Sequence, residues 1–302
     1  MNTEPTLQTH HYPTSQPKAK LQNIPGHALE ACRGIHRPLR LLCVLAHPDD
    51  ESLAIGGTLA RYAQEGTETY LLMGTRGERG WLGDPAHRPG LDALGHTREA
   101  ELRAAAHVLG LREVNWLGYV DGEVDQADPN QMIARIVLHL RRLRPDVVIT
   151  FDPNGMYGHP DHIAISQFTA AAILCAADPG YGPVGLVPHR ASKFYYRVHT
   201  PDELAAYQHI FGDLRMSIDG VERSAAGWQG WAITTRIHTA PYWRTIWEAI
   251  ACHRTQVHVQ PAVQRLYRRQ RNGALAYEGY YRVFSTVNGG RQVEADLFEG
   301  LR

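Results

Sequence analysis

The chain has 302 residues, enough to bury a sizeable core in one large domain or two modest ones. Its 31 Lys plus Arg balance 31 Asp plus Glu, so no chain-wide field draws it to nucleic acid or anionic lipid. Cys32, Cys43, Cys175 and Cys252 show no CxxC spacing, no run approaches the roughly 18 apolar residues of a membrane span, and the first residues lack a signal-type apolar core. A cytoplasmic protein is expected.

Residues 1–37 are polar, with scattered Pro, Gln, Thr and His, and read as a flexible leader before a single catalytic domain over 38–302. From Leu39, LRLLCVLA is an apolar run suited to a buried parallel strand, and AIGGTLARYAQEG reads as a helix ending at Gly66. ETYLLM is a second strand. After a long loop through Gly95, TREAELRAAAHVLG reads as a helix with Thr97 as N-cap, VNWLG as a short strand, QMIARIVLHLRRLR as a helix and DVVITF as another strand. This alternation predicts a three-layer α/β fold with a mostly parallel, Rossmann-like sheet and right-handed crossovers. Residues 178–302 are less regular, although PDELAAYQHIF and PYWRTIWEAIACH look helical and ALAYEGYYRVF looks like a closing strand. That part is expected to be the more variable, substrate-side portion.

Two short clusters repeat the same letters: AHPDDE at 46–51 and GHPDH at 158–162. Ligands of open parallel sheets bind at the carboxyl ends of strands, and both clusters follow strand-like runs. His47, Asp50 and His162 would then converge as two imidazoles and one carboxylate, the ligand count of a catalytic zinc that keeps a position for water. Asp49 and Asp50 are adjacent, so their side chains diverge and Asp49 is left as general base. His159, three residues before His162, shares its helical face and is suited to stabilising an oxyanion. Either cluster alone would serve equally as an Asx turn or a helix N-cap; the pair, at two strand ends, points to one metal site. His10, His11, His87, His139 and His189 have no such context and read as surface or loop residues.

AHPDDE, TRGERG at 75–80, TREAEL at 97–102 and RPDVVITFDPNGMYGHPDH at 144–162 together resemble the zinc-dependent LmbE-like, or PIG-L-type, N-deacetylases. The motifs are similar above all to those of the mycothiol-biosynthesis deacetylases and mycothiol S-conjugate amidases. The resemblance covers roughly residues 39–175 and implies one Zn2+ per chain on His47, Asp50 and His162, with Fe2+ an alternative ion. It implies Asp49 as general base, His159 as stabiliser of the tetrahedral intermediate and Tyr157 beside the oxyanion. It further implies Arg98 and Asp121 as contacts for sugar hydroxyls. From the residues alone, Arg98 would equally be a surface residue at a helix N-terminus, Asp121 a turn residue beside Gly122, and Tyr157 a packed loop aromatic. CHRTQ at 252–256 is similar to a family element that closes the pocket, so His253 is a second candidate histidine, with core packing as its other reading. WLGDPAHRPGLDALG and residues 178–240 depart from the mycothiol enzymes.

The expected reaction is removal of an acetyl group from an N-acetylglucosamine-like amine on a small glycoconjugate, with no nucleic acid or membrane partner and self-association left open. An amidase cutting a larger acyl group uses the same constellation. A two-histidine, one-carboxylate iron oxygenase is a rival from another class, though it gives Asp49 no task. A dinucleotide enzyme fits the fold, yet AIGGTLA is not GxGxxG. A metal that only staples loops would make the chain a binding module.

Overall fold

The run after Leu39 forms β1 (Arg40–Leu45), whose last five residues are buried. In the computed structural model the described residues are 37–182, 185–211, 215–218, 220–257, 276–290 and 292–302; the leader up to residue 36, with His10, His11 and Cys32, lies outside them. After β1 come α1 (Asp50–Gln64), β2 (Glu68–Thr75), α2 (Leu91–Leu109), β3 (Glu113–Tyr119), α3 (Pro129–Leu143), β4 (Val147–Phe151) and α4 (Pro160–Ala177). β5 (Lys193–Val198), α5 (Pro201–Phe211), the hairpin strands β6 (Arg215–Ile218) and β7 (Val221–Ser224), β8 (Thr235–His238), α6 (Trp243–Cys252) and β9 (Tyr277–Ser285) complete the order. Among the described residues, no helix is long and apolar enough to cross a membrane.

The main sheet runs β3-β2-β1-β4-β5-β9-β8. β3 to β5 are parallel, which requires the helical crossovers, and β9 is antiparallel to both of its neighbours. The fold is α/β with a mostly parallel sheet, as the alternation of runs predicts. α1, α2 and α6 pack together, and α3 packs against α4. The strand order reverses at β1 and β4, so a crevice opens at the carboxyl ends of those two strands, where both His-Pro-Asp clusters lie.

Two helix starts differ from the sequence reading. α2 begins at Leu91 with Gly90 as N-cap, and Thr97 is an interior residue whose hydroxyl donates to the Ala93 carbonyl at 2.9 Å. The sequence puts Gly95 in a loop, but it lies inside the helix, at a place where a Cβ would come within 2.8 Å of Glu78 Cγ. α1 begins at Asp50 rather than Ala54, with Asp50 and Glu51 in the first turn where the helix dipole favours them. It also breaks at Ile55 (φ −138°, ψ 18°). Side chains distant in sequence cap the break on both sides: Arg197 Nε donates to Ala54 O at 2.6 Å, and the amides of Gly57 and Thr58 donate to the Glu278 carboxylate at 2.8 and 3.0 Å. These partners satisfy backbone groups that the break would leave orphaned in the core. His189 is not a surface residue; it is buried, with Nε2 2.8 Å from the Pro145 carbonyl, while His139 is half-buried and His87 exposed.

Candidate active site

His47 follows β1 by two residues, Asp50 opens α1, and His162 is the third residue of α4. His47 Nδ1 lies 3.2 Å from His162 Nε2; Asp50 Oδ2 is 3.8 Å from His47 Nδ1, and Asp50 Oδ1 is 3.5 Å from His162 Nε2. His162 is held flat on Phe151, the last residue of β4, with ring centroids 3.9 Å apart and an interplanar angle of 9°. The Asp50 carboxylate also accepts from the His47 amide at 2.8 Å, which ties it to the end of β1.

The opposite edge of His47 meets carboxylates. Nε2 is 3.0 Å from Asp161 Oδ2 and 3.2 Å from Asp121 Oδ1. Asp161, fully buried, also accepts from the amides of Gly122 at 2.7 Å and Val124 at 3.2 Å. Carboxylates on Nε2 hold one ring proton there, so an ion would take the place of the second proton on Nδ1, the nitrogen that faces Asp50 and His162. Burial would lower the His47 pKa, but its bonds to Asp121 and Asp161 outweigh burial and raise it to about 10. Burial likewise opposes ionisation of Asp121, yet His47 brings it down to about 2.

Among the described residues, two sets of donor atoms fall within 4.8 Å of one another: His47, Asp50 and His162, and His47, His159 and Asp161. In the second set Asp161 already accepts two amides and the His47 Nε2 proton, whereas the Asp50 carboxylate accepts the His47 amide and faces both rings. Two buried imidazoles and one half-buried carboxylate fit a divalent ion.

The remaining groups surround this set. His159 N-caps α4 by accepting the Asp161 amide on Nδ1 at 3.1 Å, so the proton of the neutral ring sits on Nε2. Burial first, and the nearby His47 second, lower its pKa to about 4, which keeps it neutral. Tyr157 stands edge-on to His162, with centroids 5.2 Å apart, and burial raises its hydroxyl well above the ordinary value, so it stays a donor. Asp49 has its Oδ2 3.1 Å from Arg98 Nη2; burial raises its carboxyl although Arg98 and His253 oppose the rise.

Arg98 departs from the surface reading. It is 3 % exposed, not a surface residue, and its guanidinium donates to the carbonyls of Gly77 and Pro48 as well as to Asp49. Gly77 and Gly80 lie so close that a Cβ on either would run into it. Asp121 belongs to the turn beside Gly122 and also to the site, through His47. His253 is buried behind Asp49 rather than on the pocket wall, with Nε2 2.7 Å from Glu51 Oε1. Sequence reasoning left Asp161 and Glu51 without roles. Both are the unassigned acids of the two quoted clusters, and that was the signal for them.

Residues 42–173 match the family described as PIG-L, GlcNAc-PI de-N-acetylase. The chain is 35% identical over 290 residues to the 1D-myo-inositol 2-acetamido-2-deoxy-alpha-D-glucopyranoside deacetylase of Streptomyces avermitilis, covering 87% of this chain and 97% of that one. It is 36% identical over 249 residues to the enzyme of the same name from Rhodococcus erythropolis, covering 74% and 83%. In fold it is similar to the N,N'-diacetylchitobiose deacetylase of Pyrococcus horikoshii, with a TM-score of 0.62, 20% identity and 81% and 83% of the two chains covered. Sequence match over nearly the whole length, together with a mixed α/β sheet carrying a two-histidine, one-carboxylate centre, makes this chain a member of the PIG-L family of metal-dependent N-deacetylases, hydrolases of the amide bond.

Proposed function

We propose that the chain is a zinc-dependent N-deacetylase acting on an N-acetylglucosamine-like unit of a small glycoconjugate, of the kind named for its Streptomyces and Rhodococcus relatives. The observation that carries this reading is the convergence of His47 Nδ1, Asp50 and His162 Nε2 beside Asp49. His47, Asp50 and His162 would hold the ion, and two nitrogens with one carboxylate favour zinc, with Fe2+ the competing choice. When bound, the ion supplies Lewis acidity for the attacking water and the amide carbonyl.

Asp49 is the general base: Arg98 takes Oδ2, so Oδ1 is left to accept the proton of the attacking water and later return it to the leaving amine. His159, neutral and protonated on Nε2, donates to the oxyanion that develops on the carbonyl, and Tyr157 is placed to add a second donor. Asp161 and Asp121 keep the His47 proton on Nε2. Arg98 acts on Asp49 rather than on sugar hydroxyls, and Asp121 acts through His47; this departs from the roles the resemblance implies for them. Residues 178–302 form the substrate-side part of one catalytic domain over 38–302. The setting is cytoplasmic, in keeping with free thiols at Cys43, Cys175 and Cys252. The oxygenase and dinucleotide alternatives give way to family membership.

Metal analysis joined to an acetate-release assay tests the reading. His47→Ala, Asp50→Ala and His162→Ala should each lose most of the metal, whereas Asp49→Asn should keep it and lose kcat by roughly 10²- to 10⁴-fold. Full metal in all three alanine variants would overturn the ligand set. Release of a longer acyl group in preference to acetate would make the chain an amidase.

A further inference from the structure

Asp49 has φ 116° and ψ −25°, a left-handed backbone that costs a residue with a Cβ about 1–3 kcal/mol unless its surroundings fix it. Its amide donates to Glu51 Oε2 at 3.0 Å. The other oxygen of Glu51 accepts from Ser52 Oγ and meets His253 Nε2 at 2.7 Å, and the Glu51 carboxylate is fully buried. Three donors thus hold one carboxylate, and one of them is the backbone of the residue that carries the base.

His253 caps the C-terminus of α6, and the residues after it are fixed as firmly. Thr255 donates through its amide and hydroxyl to the two oxygens of Glu101 on α2, at 2.9 and 2.7 Å, and Gln256 Nε2 donates to Gly80 O at 2.6 Å. Residues 253–256 therefore reach all three segments that surround Asp49: the turn from His47 to Glu51, helix α2 that bears Arg98, and the loop that lies on Arg98. A histidine that lined the pocket would present an edge to it; His253 is 1 % exposed.

We propose that His253 is a positioning residue for the general base: it fixes the Glu51 carboxylate, Glu51 fixes the left-handed backbone of Asp49, and the direction of the Asp49 carboxylate follows. This rests on Asp49 being the base. The Glu51 carboxylate is bonded to the Asp49 amide, Ser52 and His253 and not to His47, Asp50 or His162, so the effect falls on turnover and leaves ion binding in place. A misdirected base about 1 Å from its working place loses on the order of 10²-fold in rate.

The test uses the full chain with 1D-myo-inositol 2-acetamido-2-deoxy-alpha-D-glucopyranoside as probe, measuring kcat, KM, metal per chain and the unfolding midpoint for His253→Gln, Glu51→Gln, their double variant and Asp49→Asn. Each of the first two should lower kcat by roughly 10- to 10²-fold, with KM within about threefold and metal content unchanged. The double variant should lose no more than the worse single one, because both cut the same chain of contacts. If His253→Gln does not fold, Glu51→Gln, nearly isosteric, should give the kcat loss with its metal retained. Wild-type kcat in whichever of the two folds, additive losses in the double variant, or a raised KM with unchanged kcat would each overturn the proposal. Full turnover by Asp49→Asn would sink the assignment of the base itself, whereas a slow Asp49→Asn beside a normal His253→Gln would sink only the positioning role.

Discussion

At the scale of single residues, two neighbours in one motif part company because of what lies behind them. Asp50 is tied to the His47 amide and faces His162, while Asp49 is turned to Arg98 by its left-handed backbone. An arginine that gripped substrate would, when removed, raise KM and leave kcat alone. Here the guanidinium is spent on Pro48, Gly77 and Asp49, so Arg98→Ala should lower kcat by roughly 10- to 10²-fold with KM little changed and metal retained. Steady-state kinetics on the same probe decide it; a raised KM with intact kcat would return Arg98 to the sugar. The letters His, Pro and Asp at two strand ends were enough to foresee that His47, Asp50 and His162 come together, because residue type and strand-end placement are both readable in the chain. The burial of Arg98 was not, since it depends on which carbonyls a loop turns inward. Asp161 escaped for a similar reason: its partners are the amides of Gly122 and Val124, which carry no side-chain signature.

At the scale of elements, the first helix of the site is broken, and its repair comes from far along the chain. Arg197 on β5 reaches Ala54 O across the break and is itself paired with Glu203 on α5. No local pattern announces this; AIGGTLARYAQ reads as plain helix, and the partners lie about a hundred and fifty and two hundred and twenty residues away. Burial would raise the Glu203 carboxyl, but Arg197 outweighs it and holds the group at about 2, below its ordinary value of 4.5. A carboxyl depressed in the folded state stabilises fully above its unfolded pKa and loses that contribution as pH falls toward the folded one. The contribution, on the order of 3 kcal/mol, should therefore be intact above about pH 5 and fade between about pH 4.5 and 2. Glu203→Gln should unfold at lower denaturant at pH 7 and show a flatter acid limb over that range. An acid limb as steep as wild type would mean that the pair adds nothing to stability.

At the scale of the whole molecule, the site is a product of topology. The order β3-β2-β1-β4-β5 brings the ends of β1 and β4 together although their clusters are more than a hundred residues apart, and the alternation of apolar runs was enough to foresee it. β9 was legible as the run ALAYEGYYRVF, but its antiparallel pairing, β8 and the β6–β7 hairpin were not, because antiparallel additions are set by long-range pairing such as Thr235 with Tyr280 rather than by a crossover pattern. This division of labour has a thermodynamic consequence. The strands beneath the site are buried from Leu41 to Leu45 and from Val147 to Phe151, and they owe their packing to one another, whereas the metal-ligand set contributes three side chains at their tips. In a zinc finger the ion is the fold; here it should be a guest. Stripping the protein with a chelator should abolish acetate release while leaving the far-ultraviolet circular dichroism unchanged. An ion at 100 times its Kd adds about 2.7 kcal/mol, so the unfolding midpoint should fall by several degrees and return, with activity, when Zn2+ is restored. Loss of the helical signal on chelation would show that the ligand loops hold the β1 and β4 ends together, and that the crevice is made by the ion rather than by the sheet.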